Sequence, residues 1–432
     1  MDTAFSPRLQ CGSTLACSLL LGSFALAFPN GNEAPEIDPS ALPSLLQDDA
    51  PASGSLEEAL KGGRFWMNFR YRYEGVDQKG LPRDAHASTL RTRLGYESAE
   101  YKNWTGLIEF SDVSTVGGGA TDYNDTINGK TDRPVIADPR GSVVNQVYLT
   151  HGDMFGGSAK IGRQRIKLDN GRFIGNVGWR QTEQTYDALS WSSSSLAGLS
   201  VDYAYIDHIN LPFGPRSANS GRDSNSHVLH ATRAFDGLGS LSAYGYYLDL
   251  PEAKALNTFT YGLRFVGDRE LGEWTLLYTA ELAHQNDVAS NPNDVSAGYM
   301  HGVLGGKLGP TALDFGYQVL DGANNAGGQF STPLATAHAH NGWADKFLAT
   351  PQDGLEDIYM SLSHKHGATK LAAVYHDFSA EGNSGDYGTE LDLLVTHKLD
   401  MGLDLGVKYA DYDAKNFATN TQKFWVWLSC SF

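Results

Sequence analysis

Cysteine is nearly absent. The chain has three, and two of them, Cys11 and Cys17, fall in its first 28 positions. An exported chain that keeps only Cys430 has no internal disulfide, so its stability has another source. Long apolar runs are missing as well. Past the N-terminus nothing approaches the roughly 18–20 apolar residues a membrane helix needs, and mean hydropathy is negative; a helical membrane protein is excluded. Positive charge is in deficit, with a formal net charge of −17, which argues against nucleic acid as a partner. Gly-x-Ser-x-Gly, Walker-type and His-Glu-x-x-His motifs do not occur, so the common hydrolase and nucleotide-binding readings have no anchor. A barrel enzyme would have to draw on residues such as His284, Asp287 and His301, whose spacing singles out nothing.

What is present begins with an export signal. Arg8 supplies a positive charge, Leu15 to Phe28 an apolar core, and Ala25-Leu26-Ala27 a small-x-small cleavage site. Residues 1–27 therefore read as a signal peptide. Residues 28–62 carry Pro29, Pro35, Pro39, Pro43, Asp48, Asp49 and Pro51 and read as a flexible periplasmic tail. Within it, Ser55 and Glu58 form a capping-box pattern ahead of a helical turn.

From residue 63 to 432 the chain changes character. Met401, Leu403, Leu405, Val407 and Tyr409 alternate with Gly402, Asp404, Gly406 and Lys408; Phe65, Met67, Phe69, Tyr71 and Tyr73 alternate with Trp66, Asn68, Arg70 and Arg72. Period-two alternation marks strands with two different faces. About 18 such segments span 64–75, 85–98, 102–113, 142–151, 157–168, 180–193, 197–209, 226–236, 239–250, 257–268, 271–285, 295–307, 310–320, 355–366, 369–379, 386–398, 401–411 and 421–432. Their connections alternate short (His366-Gly367-Ala368) and long (Asp112 to Gly141, Asp321 to Gly354). The fold class that fits is an all-β transmembrane antiparallel β-barrel of about 18 strands, with short periplasmic turns and long extracellular loops. Its place is the bacterial outer membrane. Trp104, Trp191, Trp274, Tyr246, Tyr247, Tyr299 and Trp343 near strand ends read as interfacial girdles. The last segment ends on Phe432, with Phe424, Val426, Leu428 and Cys430 on one face and Trp425, Trp427, Ser429 and Ser431 on the other.

Register then assigns the lumen. An arginine facing mid-membrane lipid costs roughly 2–4 kcal/mol, and Arg64, Arg70, Arg72, Arg91 and Arg93 together would exceed the stability of an ordinary fold. They are expected to face inward, as are Glu109 and Arg264. The segment from Gly162 to Asp187 concentrates Arg163, Arg165, Arg180, Glu183 and Asp187, which either line a constriction or brace an outside loop by salt bridges. A second candidate constriction is the loop bearing His338, His340, Trp343, Asp345 and Lys346, folded inward to narrow the pore. His338-x-His340 alone is too small a donor set for a metal site, and no metal or other cofactor is expected.

Arg70-Tyr71-Arg72-Tyr73-Glu74 with Val76-Asp77, Gly162-Arg163-Gln164, Arg172-Phe173-Ile174-Gly175 with Trp179-Arg180-Gln181 and Tyr186-Asp187, and the loop from Pro333 to Phe347 give the chain a resemblance to the alginate-export family of outer-membrane porins. That resemblance implies an 18-stranded barrel with an arginine-lined lumen. The expected function is a non-enzymatic channel for passive diffusion of small polar, anionic solutes. The alternatives are a dedicated exporter of an acidic polysaccharide such as alginate, and a barrel enzyme. Expected partners are outer-membrane lipid and lipopolysaccharide, the barrel-assembly machinery and the solutes themselves, with the chain acting as a monomer.

Overall fold

The computed structural model describes residues 54–117, 121–196, 198–323, 327–383 and 385–432. The expected signal peptide, 1–27, and most of the expected tail, 28–62, lie outside the described residues. At Ser55 a reciprocal capping box opens a short helix, α1 (Leu56–Lys61): the Ser55 hydroxyl accepts from the Glu58 backbone N–H at 3.2 Å, and the Glu58 carboxylate accepts from the Ser55 N–H at 3.2 Å.

Among the described residues eighteen long strands follow. They are β1 (Arg64–Gln78), β2 (Ala85–Glu97), β3 (Trp104–Thr115), β4 (Gly141–Met154), β5 (Gly157–Gln164), β6 (Thr185–Leu196), β7 (Leu199–Asn210), β8 (Gly221–Phe235) and β9 (Gly239–Leu248), then β10 (Thr258–Leu271), β11 (Trp274–Asp287), β12 (Asp294–Leu308), β13 (Thr311–Leu320), β14 (Leu355–His366), β15 (Thr369–Ser379), β16 (Asp386–Leu399), β17 (Leu403–Ala414) and β18 (Thr421–Ser431). Each pairs antiparallel with the next. Closure comes from β18 pairing with β1, with Arg70 opposite Ser429, Arg72 opposite Trp427 and Glu74 opposite Trp425. A closed antiparallel sheet satisfies every backbone group without an edge, which is what a bilayer demands. No helix among the described residues is long and apolar enough to cross a membrane.

Connections at one end are short, such as 155–156, 272–273, 309–310 and 367–368; at the other end they include 116–140, 165–184 and 321–354. The short-turn end is the periplasmic one, and β1 begins and β18 finishes there. The outward face is apolar and exposed: Phe65, Leu94, Leu149, Leu263, Leu304 and Ile358 are among its side chains.

The aromatic girdle is only partly as expected. Trp104 and Trp274 are exposed at the periplasmic ends of β3 and β11, but Tyr246, Tyr299 and Trp343 are buried inside the barrel. In Tyr244-Gly245-Tyr246-Tyr247 aromatics occupy both faces, so residue type could not say which ring meets lipid. The hydrophobic core lies within the lumen: Phe173, Trp179, Tyr244, Tyr299, Phe330, Trp343, Phe347 and Trp425 belong to one cluster.

Candidate functional site

Two loops fill the middle of the barrel. The first, 165–184, joins β5 to β6; the second, 321–354, joins β13 to β14. Both carry large rings that extracellular water would leave exposed, and the lumen buries them. Phe173 packs with Tyr244 and Tyr299, each at 5.3 Å between centroids, and with Phe330 at 6.0 Å. Phe347 packs on Phe378 at 4.4 Å and Phe417 at 5.2 Å. The loops are also stitched to each other. Gly175 N–H donates to the Leu334 carbonyl at 2.8 Å, Thr336 N–H to the Gly171 carbonyl at 2.9 Å, and Val177 N–H to the Thr336 hydroxyl at 3.1 Å. A Cβ at Gly175 would stand 2.8 Å from the Thr336 nitrogen, so only glycine permits this approach.

Trp179 is the wedge where the first loop meets the wall. Its ring stacks on His338 at 5.0 Å and 4° between planes, and meets Trp425 and Trp427 of β18 edge-on at 5.8 and 5.4 Å. Cations flank it: the Arg72 guanidinium carbon lies 4.9 Å and Lys408 Nζ 4.4 Å from ring centroids. Lys408 Nζ also sits 3.7 Å over Trp343 and 2.9 Å from His338 Nε2. A buried ammonium is tolerated here because three indoles present their negative faces to it.

An ion network ties these parts together. Asp345 is its hub: it receives His338 Nδ1 at 2.6 Å, Arg180 Nη2 at 3.0 Å and Lys423 Nζ at 2.5 Å. Burial opposes its ionisation, yet His338, Lys423 and Arg180 hold its carboxyl well below the usual range. Arg180 reaches on to Glu74 at 3.2 Å, and Glu74 to Arg72 at 3.4 Å. Arg72 pairs with Asp138 of the 116–140 loop, whose other oxygen accepts the Gln181 N–H at 2.8 Å. Three loops are thus fastened to β1, β17 and β18 through one chain of charges.

A second knot surrounds Glu183, which pairs with Arg93 at 3.3 Å and Arg165 at 2.5 Å. Arg165 also reaches Glu109 at 2.7 Å. Burial would raise the Glu183 pKa, but Arg165 and Arg93 override it and hold the carboxyl well below the ordinary value. Across the lumen Arg264 pairs with Glu281 at 2.6 Å.

The placement of the expected pore residues is therefore varied. Arg70, Arg72, Arg91 and Arg93 are inward and buried. Arg70 donates to the carbonyls of Gly178, Trp179 and Arg180 at 3.2, 3.1 and 2.6 Å, so it holds the first loop's backbone. Arg64 is at the periplasmic mouth, 2.6 Å from Glu97. Arg180 and Glu183, expected on a strand from 180, belong to the loop instead, because β6 starts at Thr185. Likewise β5 stops at Gln164, short of 168. His338, Trp343 and Asp345 gather at the network; His340 turns toward the periplasmic side, and Lys346 donates to Gln78 at 3.3 Å.

Arg163 and Asp187 are a correction. They pair with each other at 2.7 Å and stand opposite one another in register. Arg163 also lies opposite Val147, and two residues along, Ile161 lies opposite Leu189; all three of these apolar side chains are exposed outward. Directly paired residues share a face, so Arg163 and Asp187 point out of the barrel. The cost argument holds only near mid-membrane. At a strand's extracellular end it falls to about 0–1 kcal/mol, and here a carboxylate and Asn210 share the charge.

Sequence reasoning missed Asp138, which carries no local signal. Lys423 was missed as well, although it shares the inward parity of Trp425.

A closed even-stranded barrel, apolar outside and polar within, with long loops at one end and short turns at the other, defines an outer-membrane β-barrel of the porin type. The alginate export family matches residues 64–311; the chain belongs to that family. Its fold is similar to OccK9 (OpdG) of Pseudomonas aeruginosa, at 14% identity and a TM-score of 0.68, covering 87% of this chain and 99% of that one. It is similar to P. aeruginosa OpdK, whose structure was solved with vanillate, at 13% identity and a TM-score of 0.65 over 86% and 99% of the two chains. OccAB4 of Acinetobacter baumannii is similar at 13% identity and a TM-score of 0.65, over 86% and 98%. No curated protein sequence matches the chain.

Proposed function

We propose that the protein is a selective, non-enzymatic channel through which small polar anions diffuse across the outer membrane. The observation that carries this reading is the arginine wall. On the inward face of β1 and β2, Arg70 stands directly opposite Arg91, flanked by Arg72 and Arg93. Like charges directly opposite across a ladder are destabilising, and a fold retains them where the positive field is of use. Arg165, Arg180 and Arg264 extend that field, with Glu109 and Glu183 as partners that fix its geometry. Vanillate in the OpdK structure is itself a small carboxylate. In this reading residues 1–27 are the export signal, 28–62 the periplasmic tail, and 63–432 the barrel. It works as a monomer in contact with lipopolysaccharide, after insertion by the barrel-assembly machinery.

Planar-bilayer recordings under a KCl gradient test it. A steady conductance with a reversal potential shifted toward chloride is expected. Absence of conductance, or cation preference, sinks the proposal.

The family match favours one other reading, export of an acidic polysaccharide. A polymer would require the two stitched loops to leave the lumen together. Secretion of uronate polymer by cells carrying the gene, lost on its deletion, would favour that reading.

A further inference from the structure

Helix α1 is too short to stand alone. Isolated helices under about 12–15 residues are marginal in water, and α1 has six. Two hydrogen bonds hold it at the barrel rim. Ala99 N–H, in the 98–103 turn, donates to the Ala59 carbonyl at 3.0 Å, and the Tyr96 hydroxyl donates to the Leu60 carbonyl. Tyr96 stands opposite Phe65, which is exposed on the outer face. The helix therefore lies on the lipid side of the wall. Leu56, Ala59 and Leu60 share one of its faces, away from Glu57, Glu58 and Lys61. Ala59 is buried, but Leu56 and Leu60 are 60% and 54% exposed.

That apolar stripe borders a groove of about 500 Å³, inside the range of about 300–1,000 Å³ typical of ligand sites. Its floor is the outer face of β3, β4 and β5. Gly106, between Trp104 and Ile108 on that face, lies opposite Leu149, and Leu149 lies opposite Ile161. The floor is recessed at Gly106, where a Cβ would already stand 3.3 Å from a Leu149 δ-carbon. Trp104, Leu149 and Ile161 are exposed, so the groove is continuous with the wall that the bilayer covers. Trp104 also marks its depth, because tryptophans at strand ends favour the membrane–water interface. An amphipathic helix at that level sinks its apolar face into the boundary between headgroups and acyl chains.

The rim does not select a net charge. Lys61 pairs with Glu57 at 2.5 Å, and Arg64 with Glu97 at 2.6 Å. Lys102 in the 98–103 turn is accompanied by Glu100 and, on α1, by Glu58. A headgroup carrying both signs matches such a rim better than a net anion does.

We propose that the groove between α1 and the outer faces of β3 to β5 holds an acyl chain of one zwitterionic glycerophospholipid from the periplasmic leaflet, with Leu56 and Leu60 laid over the chain. Helix α1 is then an interfacial anchor, and the end of the 28–62 segment belongs to the membrane surface. The proposal needs the barrel to sit in a bilayer and does not depend on the channel reading.

Native mass spectrometry of the full chain in detergent, titrated with dioleoylphosphatidylethanolamine, tests the site. One phospholipid per barrel is expected to bind ahead of any others. Leu56→Ala with Leu60→Ala should weaken that first binding by about tenfold or more, the scale set by the apolar area the two side chains cover. Gly106→Leu fills the recess and leaves both α1 hydrogen bonds in place; it should weaken binding similarly. Leu263→Ala with Leu304→Ala, on outer strands far from α1, should change nothing. Dioleoylphosphatidylglycerol should bind no more tightly. A nitroxide on Leu60→Cys, with every other cysteine replaced by serine, should meet oxygen more often than a water-soluble nickel chelate in phosphatidylethanolamine-containing vesicles; on Glu57→Cys the order should reverse. Heat-dependent gel mobility verifies that each variant is a folded barrel. The proposal is overturned by the absence of a distinct first phospholipid, by binding indifferent to the leucines and Gly106, by preference for phosphatidylglycerol, or by a Leu60 label that reads as aqueous. A protein dimer in place of the lipid adduct, lost in the Leu56→Ala with Leu60→Ala variant, overturns it in favour of a second copy. KCl conductance of the same preparation reports on the channel alone, so its absence leaves this site standing.

Discussion

Replacing Asp345 by alanine attacks the fastening of the loops and spares the barrel. Its carboxylate takes three partners, from the second loop itself (His338), the first loop (Arg180) and the wall (Lys423). Arg180 keeps Glu74 after the change, but Lys423 is left as a buried ammonium without its partner at 2.5 Å. Breaking a buried pair by removing one member costs about 3–5 kcal/mol. At about 1.4 kcal/mol per tenfold, the undocked population of loop 321–354 rises by roughly two to three and a half orders of magnitude. The strand ladders contain none of these side-chain contacts, so the folded barrel persists. Single-channel recording should show larger and noisier openings for Asp345→Ala than for the parent, with unchanged heat-dependent gel mobility. Asp345→Asn, which keeps the shape and removes the charge, should behave in the same way. A folded variant whose conductance and noise match the parent would refute the claim that this carboxylate holds the loop.

Three further outcomes follow from the same geometry. His338 is pushed down to about 3 by burial, with Lys408 acting in the same direction against Asp345; an undocked loop would titrate near 6.5. The docked state therefore binds fewer protons, its stability is complete above about 6.5, and it weakens as pH falls toward 3, by up to about tenfold per unit. Conductance noise should rise on acidification from pH 7 to 4, and His338→Gln should flatten that dependence; the Asp345 contribution persists until below the ordinary carboxylate range, because its pKa is depressed. Arg163→Ala, on the outer face, should leave ion selectivity unchanged, whereas Arg72→Ala should alter both selectivity and noise; a selectivity change of similar size for Arg163→Ala in a KCl gradient would place that side chain in the lumen after all. Gly175→Ala forces a methyl against Thr336 and should loosen the stitched loops by about 1–3 kcal/mol, read as faster proteolytic cleavage within 165–184; unaltered cleavage would contradict the tight approach.

The barrel was legible because period-two alternation is a local signal, repeated in every strand and reinforced by the alternating loop lengths. Phe65 to Tyr73 shows which face is wet within nine residues. The loop-filled lumen was less so. Trp179 gives no hint in its neighbours that it will stack on His338 and meet Trp425, because those contacts join distant parts of the chain. The basic, glycine-rich stretch after Gln164 still marked an unusual segment, although its charged residues extended two predicted strands too far into the loop. Arg163 and Asp187 show the opposite limit. Alternation gave the right parity, with Ile161 and Leu189 on the same face, but the assumption that every charge turns inward overrode it. That assumption ignores depth, which the sequence does not display.

Contact between Trp179 and the tryptophans of β18 also sets an order in time. The wedge is synthesised long before its socket, since Trp425 and Trp427 belong to the last strand to emerge. Until that strand joins β1 the Trp179 ring has no tryptophans to meet, and until the first loop seats, the second lacks Arg180, Gly175 and the Trp179 ring. Complete seating of the Trp179 wedge therefore requires ring closure. Placing the socket on the strand that closes the ring makes the completed wall a precondition for the finished passage.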